Sequence, residues 1–341
     1  MKYFLRMTLG LVLLLMLGAC SDESATTDKS KQTEPSSGAA TETDSASQQS
    51  ATEAKQLVVY TSVDQVFSEP ILQNFQQESG ITVKPVYDIE AAKTVGLVER
   101  LIEEKDHPQC DLFWNGETLQ TMRLVKEGVV EDKDWQTFGG RGRVFLYDKT
   151  AVEKDQLPKT IKELGDADFG KEGLSYAIAY PMFGTTSTHV AMLYGINGAQ
   201  DTKTLFEAMR EHGAMVVDGN SAVKDAVDRG AVAFGLTDTD DALEAMQDND
   251  KLAIAFPDQL EPGDGAMVIP NSVAIIKGSA HEAEARELID YLLSEDVQKQ
   301  MVKSGWLSDE VESTKKFDVD WMATFDNYEP SKNDMKEIFA R

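Results

Sequence analysis

Cysteine is almost missing from this sequence: only Cys20 and Cys110 occur among 341 residues. Cys20 falls in an N-terminal leader, so Cys110 is left alone and no intrachain disulfide is expected. Cys110 sits in "PQCDLFW" beside a strand-like run, which reads as a buried, inert thiol. Basic residues are also scarce. Thirty-three Lys and Arg face 59 Asp and Glu, a formal net charge of −26. A phosphate backbone rewards basic patches, so a nucleic-acid partner is excluded, and cationic ligands are favoured at long range. Catalytic motifs are missing too. There is no H-E-x-x-H, C-x-x-C, G-x-S-x-G or G-x-x-x-x-G-K-[ST]. The acidic stretch from Asp238 lacks the glycine and closing glutamate of a calcium loop. His107 and Cys110 have no second pair with which to form a zinc site. The nearest nucleophile–base candidates, Ser187 or Thr188 with His189, are adjacent in sequence and poorly placed to face each other. No enzyme constellation and no resident cofactor are expected.

Long apolar runs are likewise absent. Residues 9–17 form the one leader-like stretch, too short to span a bilayer. Lys2 and Arg6 precede it and Leu17-Gly18-Ala19-Cys20 follows, which reads as a signal peptide over residues 1–20. That last tetrapeptide resembles a bacterial lipobox, by which Cys20 becomes the lipidated first residue of the mature chain. Residues 21–55 are Ser, Thr, Ala, Gln and acids with almost no large apolar side chain, a composition expected of a tether. As a flexible coil it would average roughly 30–35 Å end to end. The expected location is the cell envelope, anchored to a membrane by lipid and facing the periplasm or exterior.

What remains is long enough for two lobes. "QLVVYTS" (56–62), "ITVKPVY" (81–87) and "CDLFWN" (110–115) read as strands. Helical spacing fills 68–80 and 91–105 between them. This β-α-β rhythm predicts an α/β fold with parallel strands. Past "GRGRVFLYD" (140–148) helix and strand alternate again, which predicts a second α/β lobe. Residues 265–278 read as a strand pair, and 282–302 as one amphipathic helix. The expected division is lobe 1 over 56–147 and 265–302, lobe 2 over 148–264, and C-terminal helices over 303–341. Hinges are expected after Tyr147 and between Pro257 and Gly265. A cleft between the lobes would take a ligand at the carboxyl ends of the strands.

Polar residues gather at those ends. Thr61, Ser62 and Asp64 follow the first strand, Asp88, Glu90, Lys93 and Thr94 the second, Asn115 and Glu117 the third. Farther on stand Gly184, Thr185, Thr186, Thr188 and His189, then Asn220 and Ser221, then Thr237, Asp238, Asp240 and Asp241. Many of these are good helix caps, and capping is the plain reading of each alone. His189 alone is as consistent with a packed loop histidine. Three acids at one strand-to-helix junction exceed what a cap needs, which points to a cation or a donor-rich ligand.

With those residues in view, the chain resembles the substrate-binding proteins of bacterial ABC importers, in the group that holds ferric-iron-binding proteins. The resemblance runs from Leu57 to about Val302. It rests on "YTSVDQVFSEPILQNFQQESGITVKPVY", "DLFWNGE", "GRGRVFLYD", "DGNSAVKDAVDRGAVAFGL", "PNSVAIIKG" and "AHEAEARELIDYLLSEDVQKQM". It implies a two-lobed type 2 periplasmic-binding-protein fold with a hinged cleft, an ABC permease as partner, and action as a monomer. In ferric-binding relatives a histidine follows the first strand's tyrosine; here Asp64 holds that place. Glu117 matches a carboxylate after the third strand. The adjacent tyrosine pair is missing, and Thr237 to Asp241 stand in its place. Two ligand classes stay open. One is a metal ion or other cation on Asp64, Glu90, Glu117, Asp238 and Asp240, with Asp64, Glu117, Asp238 and Asp240 as metal ligands; charge favours this class. The other is a small phosphorylated or zwitterionic solute. Its anion would lie on the helix starts at Ser62, Thr185–Thr186 and Asn220–Ser221, near Arg141, Lys93 or His189. A sensing domain for a signalling receptor is a further alternative, since capture and sensing use the same closure.

Overall fold

The β-branched run Gln56–Thr61 forms strand β1, flanked in parallel by β2 (Thr82–Tyr87) and β3 (Leu112–Asn115). The computed structural model describes residues 55–88, 95–171, 173–261 and 263–340. The signal peptide, Cys20, nearly all of the tether, Glu90, Lys93 and Thr94 therefore lie outside the described residues. Among the described residues no helix is long and apolar enough to cross a membrane. Helix α1 (Gln65–Ser79) returns the chain from β1 to β2 and ends on Gly80, whose φ of 73° suits a left-handed cap. Helices α2 (Val95–Glu103) and α3 (Leu119–Lys126) flank β3 in sequence.

The long strand β4 (Trp135–Asp148) joins the two halves. Its first part pairs antiparallel with β9 (Val268–Ile275), which also borders β3. From Arg143 onward it pairs with β7 (Phe234–Asp238). Strands β5 (Tyr176–Ala179) and β6 (Met215–Val217) extend that second half in parallel, and β8 (Leu252–Ala255) pairs with the end of β4. The change of partners thus falls between Gly142 and Arg143, ahead of the crossing expected after Tyr147.

A bulge sits just before that change. The register shifts between Phe138 and Arg141, with Gly139 at φ 53° and Gly140 at φ 151°. A Cβ on Gly140 would meet the Ile269 carbonyl oxygen at 3.3 Å, so glycine is needed there. Pro270, which cannot donate to a ladder, lies opposite this irregular stretch. Residues 265–278, expected as a strand pair, hold the single strand β9 (Val268–Ile275). The bulge absorbs the proline. Residues 282–302 also differ from expectation. Two helices, α8 (Glu282–Leu293) and α9 (Glu295–Ser304), replace one because Ser294 is extended at ψ 145° and its hydroxyl caps Val297 N at 3.4 Å.

Apolar side chains fill both faces of each half. Phe75, Leu288, Met301 and Trp306 cover one face of the first half, and Leu97, Leu101 and Leu124 the other. In the second half, Phe234, Leu193 and Met209 pack with residues from α4 (Gly184–Asn197), α5 (Ala199–Glu211) and the C-terminal helix Trp321–Ile338. The opposite face holds Val223, Val227 and Ala242 of α6 (Asn220–Asp228) and α7 (Thr239–Asp248). Cys110 is buried, and burial pushes its thiol pKa up, in keeping with an inert side chain.

Candidate functional site

The carboxyl ends of β1, β3, β5, β6 and β7 lead into the loops that meet around one cavity of about 60 Å³. Ser62, Asp64, Gly116 and Glu117 come from the first half, and Tyr180, Phe183 to Thr186, Asp218 to Ser221 and Asp241 from the second. Arg141, just past the β4 bulge, lies between them. Open α/β sheets place ligands at such strand ends. Thr185 and Thr186 stand in the first turn of α4, Asn220 and Ser221 in that of α6, where backbone N–H groups have no intrahelical acceptor.

The acids at the start of α7 neither cap it nor face the cavity alone. Asp238 holds the N-cap position, yet its side chain makes no capping bond. Arg143 Nη1 donates to its Oδ1 at 2.5 Å. Thr185 Oγ1 and Asn220 Nδ2 both donate to its Oδ2, the latter at 2.9 Å. Arg141 Nη1 lies 3.6 Å from the same oxygen and donates to Asp240 Oδ2 at 3.0 Å. The sequence question of three crowded acids thus has an internal answer: two guanidinium groups arrive from β4, at positions i and i+2 of one strand face. Asp241 instead accepts a hydrogen bond from Ser221 at 2.8 Å.

Electrostatics follow. Burial alone would raise the Asp238 pKa, but Arg143 and then Arg141 outweigh it and hold the group below the usual carboxylate range. Asp240 is pushed up by burial and by repulsion from Asp238 and Asp64, which Arg141 only partly offsets. Its Oδ1 has no hydrogen-bond partner. Carboxylate oxygens of Asp238, Asp240 and Asp241 lie within 4.8 Å of one another, close enough to share a cation. The guanidinium groups already fill that role for Asp238 and Asp240.

The other expected residues fall into place around this centre. Arg141 also donates from Nη2 to the Gly116 carbonyl at 2.6 Å and stacks over the Trp306 ring, 4.6 Å from its centroid. One side chain therefore ties loops of both halves together. Glu117 is buried, and its carboxylate accepts from Leu119 N at 2.7 Å, Gln120 N at 2.8 Å, Thr188 Oγ1 at 3.2 Å and Asn115 Nδ2 at 3.3 Å. It caps α3 from the residue before the N-cap. Burial raises its pKa despite those four bonds. Asp64 stands at the N-cap position of α1 without capping it, and lines the cavity. Ser62 donates to Asn115 Oδ1 at 2.7 Å, and Asn115 lies behind the cavity wall. Thr237 donates to the Asn220 carbonyl at 3.1 Å. His189 is buried and not part of the wall; burial first, and Arg143 second, depress its pKa to about 3.

Sequence reasoning missed Arg143, Asp218, Tyr180 and Phe183. The alternation in "GRGRV" could have found Arg143, because β4 residues two apart share a face. Nothing local marks the two aromatics.

Comparison with known proteins agrees with this architecture. Residues 56–307 match the family model of bacterial extracellular solute-binding proteins. The major ferric iron-binding protein of Neisseria meningitidis serogroup B is 23% identical over 266 residues, covering 71% of this chain and 77% of that protein. Iron-bound HitA from Pseudomonas aeruginosa superposes with a TM-score of 0.70 at 18% identity, over 84% of this chain and 99% of that one. AfuA from Actinobacillus pleuropneumoniae, with exogenous fructose-6-phosphate bound, gives 0.69 at 16% identity, over 84% and 99%. The fold is accordingly the two-lobed α/β fold of type 2 periplasmic binding proteins. With the family model covering most of its length, this chain belongs to the bacterial extracellular solute-binding proteins.

Proposed function

We propose that this chain is the solute-capturing component of an ABC importer, held at the cell envelope by a lipid on Cys20, and that its cargo is a small phosphorylated or zwitterionic organic solute rather than a metal ion. The observation that carries this reading is the pairing of Asp238 and Asp240 with Arg143 and Arg141. A metal ion at that junction would have to displace buried guanidinium groups. The tyrosine pair of ferric-binding relatives is absent, and Glu117 gives its oxygens to α3 and α4. An anion, by contrast, finds Arg141 and the first turns of α4 and α6 around one cavity. Fructose-6-phosphate in the fold relative AfuA fits the same choice. The chain acts as a monomer, and its lobes close by bending where β4 and β9 pass between them.

The test is to purify the chain from its native host without added ligand and to analyse what accompanies it by mass spectrometry and elemental analysis. A stoichiometric organic anion with only trace iron is expected. Stoichiometric iron would overturn the reading.

A further inference from the structure

Helix α9 ends at Gly305, whose φ of 86° is left-handed, and the turn carries Trp306 back into the core of the first half. Leu307 N closes that turn on the Met301 carbonyl at 3.1 Å. Trp306 is 1% exposed and packs on Phe67 of α1, with ring centroids 5.3 Å apart. Its indole N–H finds no hydrogen-bond partner among the described residues. A buried donor left so is costly, and a purely apolar side chain would fill a core without it. What tryptophan adds is the best cation-accepting face of the aromatic side chains. A cation lies on it: the Arg141 guanidinium carbon stands 4.6 Å from the ring centroid.

That guanidinium sits at the seam of the two halves. Nη2 donates to the Gly116 carbonyl of the first half at 2.6 Å. Nη1 donates to Asp240 Oδ2 of the second half at 3.0 Å and lies 3.6 Å from Asp238 Oδ2. Both acids pull it one way, onto the start of α7. Trp306 and the Gly116 carbonyl hold it the other way. A Cβ on Gly116 would stand 3.1 Å from Arg141 Nη2 and 3.6 Å from Trp306 Cη2, so loop, guanidinium and indole pack as one unit. Arg141 and Gly116 line the cavity, and Trp306 lies behind them.

We propose that Trp306 is a positioning residue for ligand capture: its ring face holds the Arg141 guanidinium at the seam, where the anionic end of the cargo meets it. This rests on the reading of an anionic cargo at Arg141 and deepens it. Without the ring, the guanidinium falls back onto Asp238 and Asp240, its charge is spent on them, and the bridge to Gly116 weakens.

The test is calorimetric titration of the full chain with inorganic phosphate, fructose 6-phosphate and ferric citrate. Trp306→Leu should weaken phosphate binding about tenfold, and Trp306→Phe, which keeps a weaker ring face, should stay within about threefold of the parent. In an Arg141→Met background, Trp306→Leu should change binding by less than about twofold, because nothing is left to position. Circular dichroism reports whether each variant folds. A second arm needs no leucine variant. Fluorinated tryptophan keeps the ring's shape and draws electron density from its face. Incorporated throughout the chain, it should weaken phosphate binding about threefold in the parent and leave Trp306→Phe unchanged. Fluorination without effect on the parent, or equal losses from Trp306→Leu with and without Arg141, overturns the positioning role and leaves the anion reading in place. Binding of ferric ion with no response to either phosphate compound overturns both.

Discussion

Glu117 on the cavity wall and Asp238 in the second half of the molecule are carboxylates, each almost wholly buried, and the protein treats them in opposite ways. Asp238 meets two guanidinium groups and is held ionised. Glu117 meets only neutral donors, two backbone N–H groups, a threonine hydroxyl and an asparagine amide, and burial pushes its pKa up. Hydrogen-bond count does not separate them, since both are well supplied with donors. Opposite charge at contact distance does. The side with paired charges is costly to dismantle, because removing one partner strands the other.

The sharpest way to break this contrast is Arg143→Met. Arg143 is fully buried and donates to Asp238, Asn220 and, at 3.4 Å, Thr186. Its loss leaves Asp238 with neutral donors from Thr185 and Asn220 and with Arg141, at 3.6 Å, as its remaining guanidinium partner. Stripping one partner from a buried ion pair costs about 3–5 kcal/mol. Urea denaturation should show a drop of that size, and Arg143→Met with Asp238→Asn should recover part of it. A drop below about 1 kcal/mol would mean that the pair is solvated.

This pair also marks the limit of what the sequence discloses. The alternation of strand and helix was legible because periodicity is local, and β1, β2, α1 and β3 lie close to where the spacing puts them. The crowding of Asp238, Asp240 and Asp241 was legible for the same reason. Their partners were not, because Arg143 lies 95 residues from Asp238 and Arg141 lies 99 from Asp240. A register between antiparallel β4 and β7 brings them together, and no local pattern encodes that register. The break at Ser294 hid for a different reason. One serine capping a new helix leaves the apolar spacing on both sides intact.

His189 tests the paired side through pH. It feels burial, Arg143 and Asp238, and its folded pKa is depressed to about 3 from an ordinary 6.5. The unfolded chain therefore takes up the proton first as pH falls. Stability from this group is fully present above about 6.5 and drains away toward 3. Between pH 7 and 4.5 the drop should be about 2–3 kcal/mol, and His189→Gln should remove it whatever the substitution costs at neutral pH. Urea midpoints at the two pH values measure this. An equal acid loss in parent and variant would show that the imidazole is already charged or exposed.

The neutral side predicts a smaller effect of opposite pH sense. Glu117→Gln keeps the shape but replaces one oxygen, an acceptor for two donors, with an amide that is itself a donor. Either Leu119 N and Thr188 Oγ1, or Gln120 N and Asn115 Nδ2, lose their acceptor. An unsatisfied buried donor costs about 1–3 kcal/mol, offset by removing a carboxylate that burial disfavours, so a net loss of about 1 kcal/mol is expected. The pH sense follows from the raised pKa. Above the unfolded-state value of Glu, the folded chain still holds its proton while the unfolded chain has released it. The parent therefore loses stability as pH rises from the unfolded to the folded pKa. Glutamine does not titrate, so the gap between parent and variant should narrow from pH 4 to pH 7, measured by urea denaturation at both. A gap that widens over that range would show that the four donors hold Glu117 ionised as firmly as two arginines hold Asp238, and the contrast between the two sides would fail.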